Sequence, residues 1–341
     1  MSVAGPVRER STARCRAVVV GAVLAVVLAT YLSLALGSRQ IDPSVVVDAL
    51  LAPNADDNDY MVVRDLRVPR TVLGLLAGSA LGLAGALMQG LTRNPLADPG
   101  LLGVNAGASL FVVLGISLLG VTAASGQVWL AFAGAAAATV VVYAVGSGPR
   151  GPSPLSLTLA GTAVTAALTS VITLVLLGDL ETLNQYRFWS VGSLVGRDLD
   201  AAVGVLPFIA GGVVIAAALG PSLNVLALGE DVARGLGAHL GRVRVLAAIA
   251  IVLLCGGATA LVGPIVFVGL VAPHFARWLV GGDYRWILGL SGMSGAVMLT
   301  LADVIGRLIV PPGELEAGLV VALLGAPVMI ALVRRRRAGA W

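Results

Sequence analysis

Long apolar runs of about 20 residues, separated by short polar segments, occupy most of this sequence. A helical run of that length matches the thickness of the hydrocarbon core of a bilayer. Hydrophobic residues make up 58% of the chain and charged residues 12%, whereas a soluble domain is nearer half apolar and a quarter charged. The sequence therefore predicts an all-α polytopic membrane protein, a single transmembrane domain over 1–341 with no room for a sizeable soluble domain.

Ten apolar segments are candidate membrane spans. Their approximate ranges are 17–37, 68–90, 100–120, 127–147, 157–178, 203–220, 243–262, 265–281, 286–309 and 317–333. An even number of spans places both termini on one side. If that side is the inner one, the inner segments hold fifteen of the 22 arginines. Because an arginine excess marks the cytoplasmic side, we expect 1–16, 222–242 and 334–341 to be cytoplasmic.

All 22 basic residues are arginine, and the absence of lysine excludes one function directly. A phosphate-binding loop of the GxxxxGK(S/T) type needs a lysine, so an ATPase that drives this protein would be another polypeptide. The two cysteines, Cys15 and Cys255, are expected to be unpaired, without a disulfide framework or a metal site. The net charge of +4 reflects arginines at helix ends and does not indicate nucleic-acid binding. We expect no cofactor and no catalytic residues.

The segment Ala86–Ala108 contains a corner between two apolar, glycine-rich stretches. It has two X-Pro starts, Asn94-Pro95 and Asp98-Pro99, and Pro suits the first position of a helix when Asn or Asp precedes it as the cap. The chain is predicted to end one membrane helix, make a brief capped turn and begin the next. Most membrane loops need no such precision, so we expect something to pass or press against this corner.

The outer mouth of the second span is dense in arginine, with Arg64, Arg67 and Arg70 within seven residues. These side chains are either interfacial anchors or a docking site, and their density favours docking of an acidic partner. The span that follows carries glycines at four-residue spacing, among them Gly74 and Gly78, which predicts close helix packing.

Two polar segments between spans are predicted to be helical. The segment around Tyr186 and Trp189 is expected to lie on the outer interface, where aromatic rings favour the headgroup level. It could be a simple anchor or part of an outer vestibule. The inner loop has apolar residues at helical spacing from Val225 to Leu236. An amphipathic helix there could lie flat on the bilayer, but its glycine breaks favour a short helix that projects into a groove on a partner.

The eighth and ninth spans contain further polar signals. Pro264 and Pro273 are predicted to break the helix, and the nearby His274 is taken as a structural residue. Asp303 and Arg307 are spaced i, i+4, which permits a local ion pair.

Several motifs together resemble a known family along nearly the full length. They are RVPR, NPLADPGLLGVNAGA, LALGEDVARGLG, GPIVFVGLVAPHFAR followed by GGDYR, and LGAPV. In this order they look like the ten-helix permease subunits of iron–siderophore and vitamin B12 ABC importers, the FecCD/BtuC family. The NPLADPGLLGVNAGA stretch is most similar to ferric-enterobactin-type permeases. The resemblance implies a BtuC-like type II ABC importer permease fold.

The resemblance also implies roles for individual residues. Arg67, Arg70 and Arg307 match outer arginines that receive acidic residues of the substrate-binding protein. Asn94 and Leu96 match positions of the cytoplasmic gate in the translocation path. The helix that couples to the ATPase matches Leu228, Gly229, Glu230, Ala233, Gly235 and Gly237. The second gate region is usually polar in the family but reads PSPLS here, with Pro154 and Leu155, so its details do not carry over.

The function implied by the resemblance is ATP-driven import of an iron(III)–siderophore complex across the cytoplasmic (inner) membrane. The implied partners are separate ABC ATPase subunits, an extracytoplasmic substrate-binding lipoprotein and a second, similar permease chain, in a heterodimer by preference or a homodimer. Vitamin B12 and haem are alternative cargoes. An ion-coupled secondary transporter is a further alternative, but such proteins usually carry ionisable residues deep within spans. Here Asp303 is the nearest to such a residue.

Overall fold

The protein is described by a computed structural model that covers residues 12–39, 41–51, 58–148, 151–197, 199–311 and 313–338. The helices are α1 Thr12–Ala35, α2 Pro43–Leu51, α3 Asn58–Met61, α4 Val68–Thr92, α5 Val104–Leu119, α6 Ala124–Gly146, α7 Pro154–Gly178, α8 Leu180–Ser190, α9 Leu199–Ala227, α10 Glu230–Gly235, α11 Leu240–Ile251, α12 Gly257–Val262, α13 Val268–Val280, α14 Tyr284–Ile309 and α15 Ala317–Ala338. A π-helical turn, Val62–Arg67, joins α3 to α4, and another, Val252–Gly256, joins α11 to α12. Two short strands, β1 Ser147–Gly148 and β2 Gly151–Pro152, pair antiparallel before α7.

The ten predicted spans all correspond to apolar helices. Within the described residues, seven helical segments are long and apolar enough to cross a membrane, and α5, α13 and α15 supply shorter apolar stretches. This agreement confirms the all-α fold. The predicted interfacial helix after the fifth span is also present as α8. The predicted cytoplasmic ends 1–16 and 334–341 lie partly outside the described residues.

The eighth span differs from the prediction in one respect. The chain is not helical from Gly263 to Val266, and α13 begins only at Val268. The second predicted break, at Pro273, was wrong because this proline lies inside α13. Proline has no N–H to offer to the carbonyl oxygen four residues earlier. That oxygen, on Gly269, instead accepts a hydrogen bond from Nε2 of Gln89 at 3.3 Å.

Helix α4 is the centre of the molecule and packs against α14, α13, α9 and α12. Its predicted glycine face makes the closest contact. A Cβ atom on Gly78 would overlap the main-chain oxygen of Gly295, and one on Gly82 would overlap that of Ser291. Gly85 lies in the same way against Gly269. The backbones of α4, α14 and α13 therefore touch directly, as the glycine spacing predicts.

The inner loop is shorter than the range 222–242 that the sequence predicts for it. Helix α9 continues to Ala227, and α11 begins at Leu240. Gly229 has a φ of 112°, a conformation that strongly favours glycine. The apolar pattern from Val225 to Leu236 is therefore divided between the end of α9 and the six-residue helix α10.

Candidate functional site

The corner between α4 and α5 is a tight turn fixed by side-chain hydrogen bonds. Oδ1 of Asn94 accepts the N–H of Leu96 at 3.0 Å, and Oδ1 of Asp98 accepts the N–H of Gly100 at 2.8 Å. Asp98 caps the 3-10 turn that begins at the next residue, as predicted. Asn94 closes a turn but does not begin a helix. The side chain of Asn94 is exposed and that of Leu96 is half-buried.

The short helix α10 and the residues on either side of it form an exposed apolar rim. The exposed fractions of Leu228, Val232 and Leu236 are 64%, 50% and 65%. Ala233 is fully buried and faces the body of the protein. A Cβ atom on Gly229, Gly235 or Gly237 would meet no other atom within 4 Å. None of the three is needed for close packing within the described residues, but Gly229 and Gly237 have positive φ angles, which favour glycine.

Glu230 links α10 to two other parts of the same end of the molecule. Its carboxylate lies 2.7 Å from Nη2 of Arg244 at the start of α11. It also lies 3.8 Å from Nη2 of Arg93, the residue before the corner, and 3.3 Å from Arg234. Glu230 thus connects α10 firmly to α11 and, at a longer distance, to the residue before the corner.

Two arginines at the end of the molecule that the sequence predicts to be outer are buried against the end of α1. The exposed fractions of Arg67 and Arg307 are 4% and 2%. Arg67 donates to the carbonyl oxygens of Leu34 and Ala35 at 2.7 and 2.8 Å, and Arg307 donates to that of Ser33 at 2.9 Å. The last carbonyl groups of a helix lack partners within it and carry partial negative charge. These guanidinium groups therefore cap α1 and fasten it to α4 and α14.

Arg70 belongs to a charged cluster beside them. One of its nitrogen atoms lies 2.7 Å from Asp303 and the other 2.7 Å from Glu314. Asp303, 2% exposed, is also 2.7 Å from Arg307, which confirms the predicted i, i+4 ion pair. One carboxylate thus holds two arginines that come from different helices.

The burial of these groups adds a condition to the docking prediction. Acidic residues of a partner can reach Arg67, Arg70 or Arg307 only after the end of α1 or the Glu314 side chain moves. In the same segment Arg64 is exposed. The docking role of Arg67, Arg70 and Arg307 stays a prediction.

Comparisons with known proteins agree with this architecture. A model of the FecCD transport family matches residues 23–335. The chain belongs to the FecCD transport family. It is 48% identical to the ferric enterobactin transport system permease protein of Escherichia coli (strain K12), over 96% of this chain and 98% of that one. It is 36% identical to an Fe(3+)-citrate import system permease protein of Bacillus subtilis (strain 168), over 97% and 98%.

A solved structure has the same fold. It is an inward-facing conformation of a metal-chelate type ABC transporter, with a TM-score of 0.81 and 25% sequence identity, covering 94% of this chain and 99% of that one. These findings confirm the predicted family and fold. The chain is a multi-pass permease of the inner membrane, a transmembrane subunit that works with a separate ATPase and a substrate-binding partner.

One feature of this FecCD permease was absent from the sequence predictions. Hydroxyl side chains follow one face of α7, at Thr158, Thr162, Thr165, Thr169 and Thr173. Thr162, Thr169 and Thr173 are exposed, and each donates to the carbonyl oxygen four residues earlier. Because the steps of four, three, four and four keep these residues on one side of a helix, the pattern could have been found in the sequence.

Proposed function

We propose that this chain is the permease subunit of an ATP-driven importer of iron(III)–siderophore complexes. The observation that carries the proposal is the ion pair between Glu230 of α10 and Arg93 beside the corner. It connects the corner to a short helix that is flanked by exposed apolar side chains. Cargo of the siderophore class is supported by the near-full-length identity to a permease named for ferric enterobactin.

Coupling to the ATPase is proposed at α10 and the glycines that flank it. The side chains of Leu228, Val232 and Leu236 are exposed, so their apolar surface contacts water when no partner is bound. Fully burying a side chain of this size contributes about 1.5–3 kcal/mol, so a fitted groove on a partner would bind this rim. The sequence contains no lysine for a phosphate-binding loop of its own, which supports a separate ATPase chain.

A second permease chain is proposed against α7 and α15. Both helices leave large parts of their surface uncovered by the rest of this chain, including Leu319, Leu323 and the α7 hydroxyl groups. Each hydroxyl oxygen on α7 can still accept a hydrogen bond from water, which suits a water-filled path. Two chains facing each other would enclose such a path between them, as a heterodimer or a homodimer. Asn94 and Leu96 would form its inner gate.

The outer partner is proposed to be a substrate-binding lipoprotein that docks through acidic side chains. Arg64 is exposed and can make the first contact with an acidic side chain. Arg67, Arg70 and Arg307 can bind acidic side chains after the Glu314 side chain and the end of α1 move away from them. The arginine excess of the inner segments supports cytoplasmic termini.

The test substitutes one exposed leucine on each face of the membrane. Leu236→Asp on α10 should weaken association with the ATPase and reduce ATP-dependent uptake of ⁵⁵Fe–siderophore at least tenfold. The matched control is Leu180→Asp at the start of α8, where the side chain is 72% exposed. Equal uptake by the two variants would refute coupling at α10. Uptake that stops when the proton gradient is collapsed while ATP stays plentiful would favour an ion-coupled transporter.

A further inference from the structure

A polar cavity of about 440 Å³ opens at the outer end of the molecule. Its walls come from the turn before α6, from α8, from the loop between α8 and α9, and from the residue that precedes α15. Gln185, Phe188, Trp189, Arg197 and Glu316 are among the residues that line it. We name this site the α8 cavity.

The α8 cavity contains both donors and acceptors that lack partners. Nε1 of Trp189, Oε1 of Gln185 and Oε2 of Glu316 make no hydrogen bond within the described part of the chain. Each of these three atoms is almost completely covered by the protein, so neither bulk water nor a ligand contacts it until a side chain of the cavity wall moves. Leaving such groups unpaired is unfavourable. A ligand that offers both an acceptor and a donor would satisfy them together.

Two opposite charges line the same cavity without pairing. Arg197 donates through Nε to the carbonyl oxygen of Ser193 at 3.4 Å. Burial lowers the pKa of Arg197, and the negative charge of Glu316 opposes that shift. The ion pairs of the described residues do not include these two side chains. The cavity therefore presents a cation and an anion separately, which suits a ligand with several polar groups.

The α8 cavity lies where cargo would enter the central path. α8 follows directly on α7, and Glu316 directly precedes α15, so the cavity lies at the outer ends of the two helices with uncovered faces. Glu314, which pairs with Arg70, is two residues before Glu316. The N–H of Gly318 donates to the carbonyl oxygen of Gly192, which fixes this segment to the cavity wall.

We propose that the α8 cavity binds an amide-bearing arm of an iron(III) chelate before it enters the central path. The amide oxygen accepts from Trp189 or Arg197, and the amide N–H donates to Gln185 or Glu316. The exposed ring of Phe188 at the rim covers the apolar part of the arm. This inference rests on the proposed function and adds the chemical class of its cargo.

The test compares two chelates in the assembled importer, reconstituted with its ATPase and binding protein in liposomes. Ferric enterobactin offers amide groups, whereas ferric citrate has no N–H. Trp189→Phe keeps an aromatic ring but removes the donor, and Gln185→Met keeps the length but removes the acceptor. Each variant should raise KM for ferric enterobactin about three- to tenfold, with little change in kcat or in uptake of ferric citrate. The control is Trp129→Phe on α6, outside the cavity and 50% exposed.

Several outcomes would overturn the inference. Unchanged KM in both variants, with monodisperse protein on gel filtration, would show that the cavity does not contact cargo. Weaker association with the binding protein would show that the cavity belongs to the docking surface. A wild-type importer that accepts ferric citrate but not ferric enterobactin would refute the amide preference and leave the importer function standing. A wild type that imports neither chelate would refute the proposed cargo and this inference with it.

Discussion

Replacing Asp303 with asparagine should destabilise the protein more than any change to its exposed acids. Asp303 lies 2.7 Å from Arg70 and 2.7 Å from Arg307, and its side chain is 2% exposed. In Asp303→Asn the amide retains an acceptor oxygen but no charge. Arg307 then keeps its hydrogen bonds to the end of α1 but has lost its buried counter-charge.

The magnitude follows from the burial. Removing one partner of a buried ion pair costs about 3–5 kcal/mol. A charge pair about 4 Å apart at an effective dielectric constant near 20 gives roughly 4 kcal/mol, which is consistent. Because asparagine retains one polar contact, we expect about 3 kcal/mol, or about a hundredfold shift in the folded population.

The assay uses the two cysteines of the chain. Cys15 and Cys255 are 3% and 2% exposed, so a thiol-reactive fluorescent dye labels them only on unfolding. The midpoint of heat-induced labelling in detergent should fall by roughly 5–10 °C in Asp303→Asn. The matched control is Glu314→Gln, which removes the other partner of Arg70. Since Glu314 is 25% exposed, solvent screening should limit its effect to about 1 kcal/mol or less. Equal midpoints for the two variants would refute the reasoning.

Two further predictions concern packing and gating. Gly82→Ala should lower the labelling midpoint by an amount equivalent to about 1–3 kcal/mol, because the new Cβ overlaps Ser291. Gly289→Ala, where no atom lies within 4 Å of the new Cβ, should leave it unchanged or raise it, and equal losses would contradict the packing argument. Leu96→Glu should make liposomes containing the assembled importer leak a small entrapped dye, because a charge at the gate keeps the inner end hydrated. Normal uptake without leakage would remove the corner from the path.

Local signals in the sequence predicted the elements of the fold well. Apolar length identified the spans, the Asp98-Pro99 pair identified a cap, and the glycine spacing in α4 identified a close contact. Each of these depends on residues near one another in the chain. Their physics is visible without knowledge of the rest of the molecule.

Contacts between distant parts of the chain were not visible in the same way. The carbonyl oxygens that accept hydrogen bonds from Arg67 and Arg307 lie at the end of α1. Every residue has a main-chain oxygen, so the sequence does not show which of them will bind an arginine. The carbonyl oxygen of Gly269, which Pro273 leaves without its helical partner, is bound by Gln89, far away in the sequence. The cavity around Trp189 likewise depends on three separate segments that meet only in the fold.

The glycine contacts of α4 limit how this permease can change shape. At Gly78, Gly82 and Gly85 the backbone of α4 touches that of α14 or α13 without intervening side chains. These helices therefore cannot slide or rotate against one another without steric collision. α4, α14 and α13 must therefore travel as one block during a transport cycle. The adjustable parts are the helices at its periphery, and the corner next to Arg93 is where the fixed block meets them.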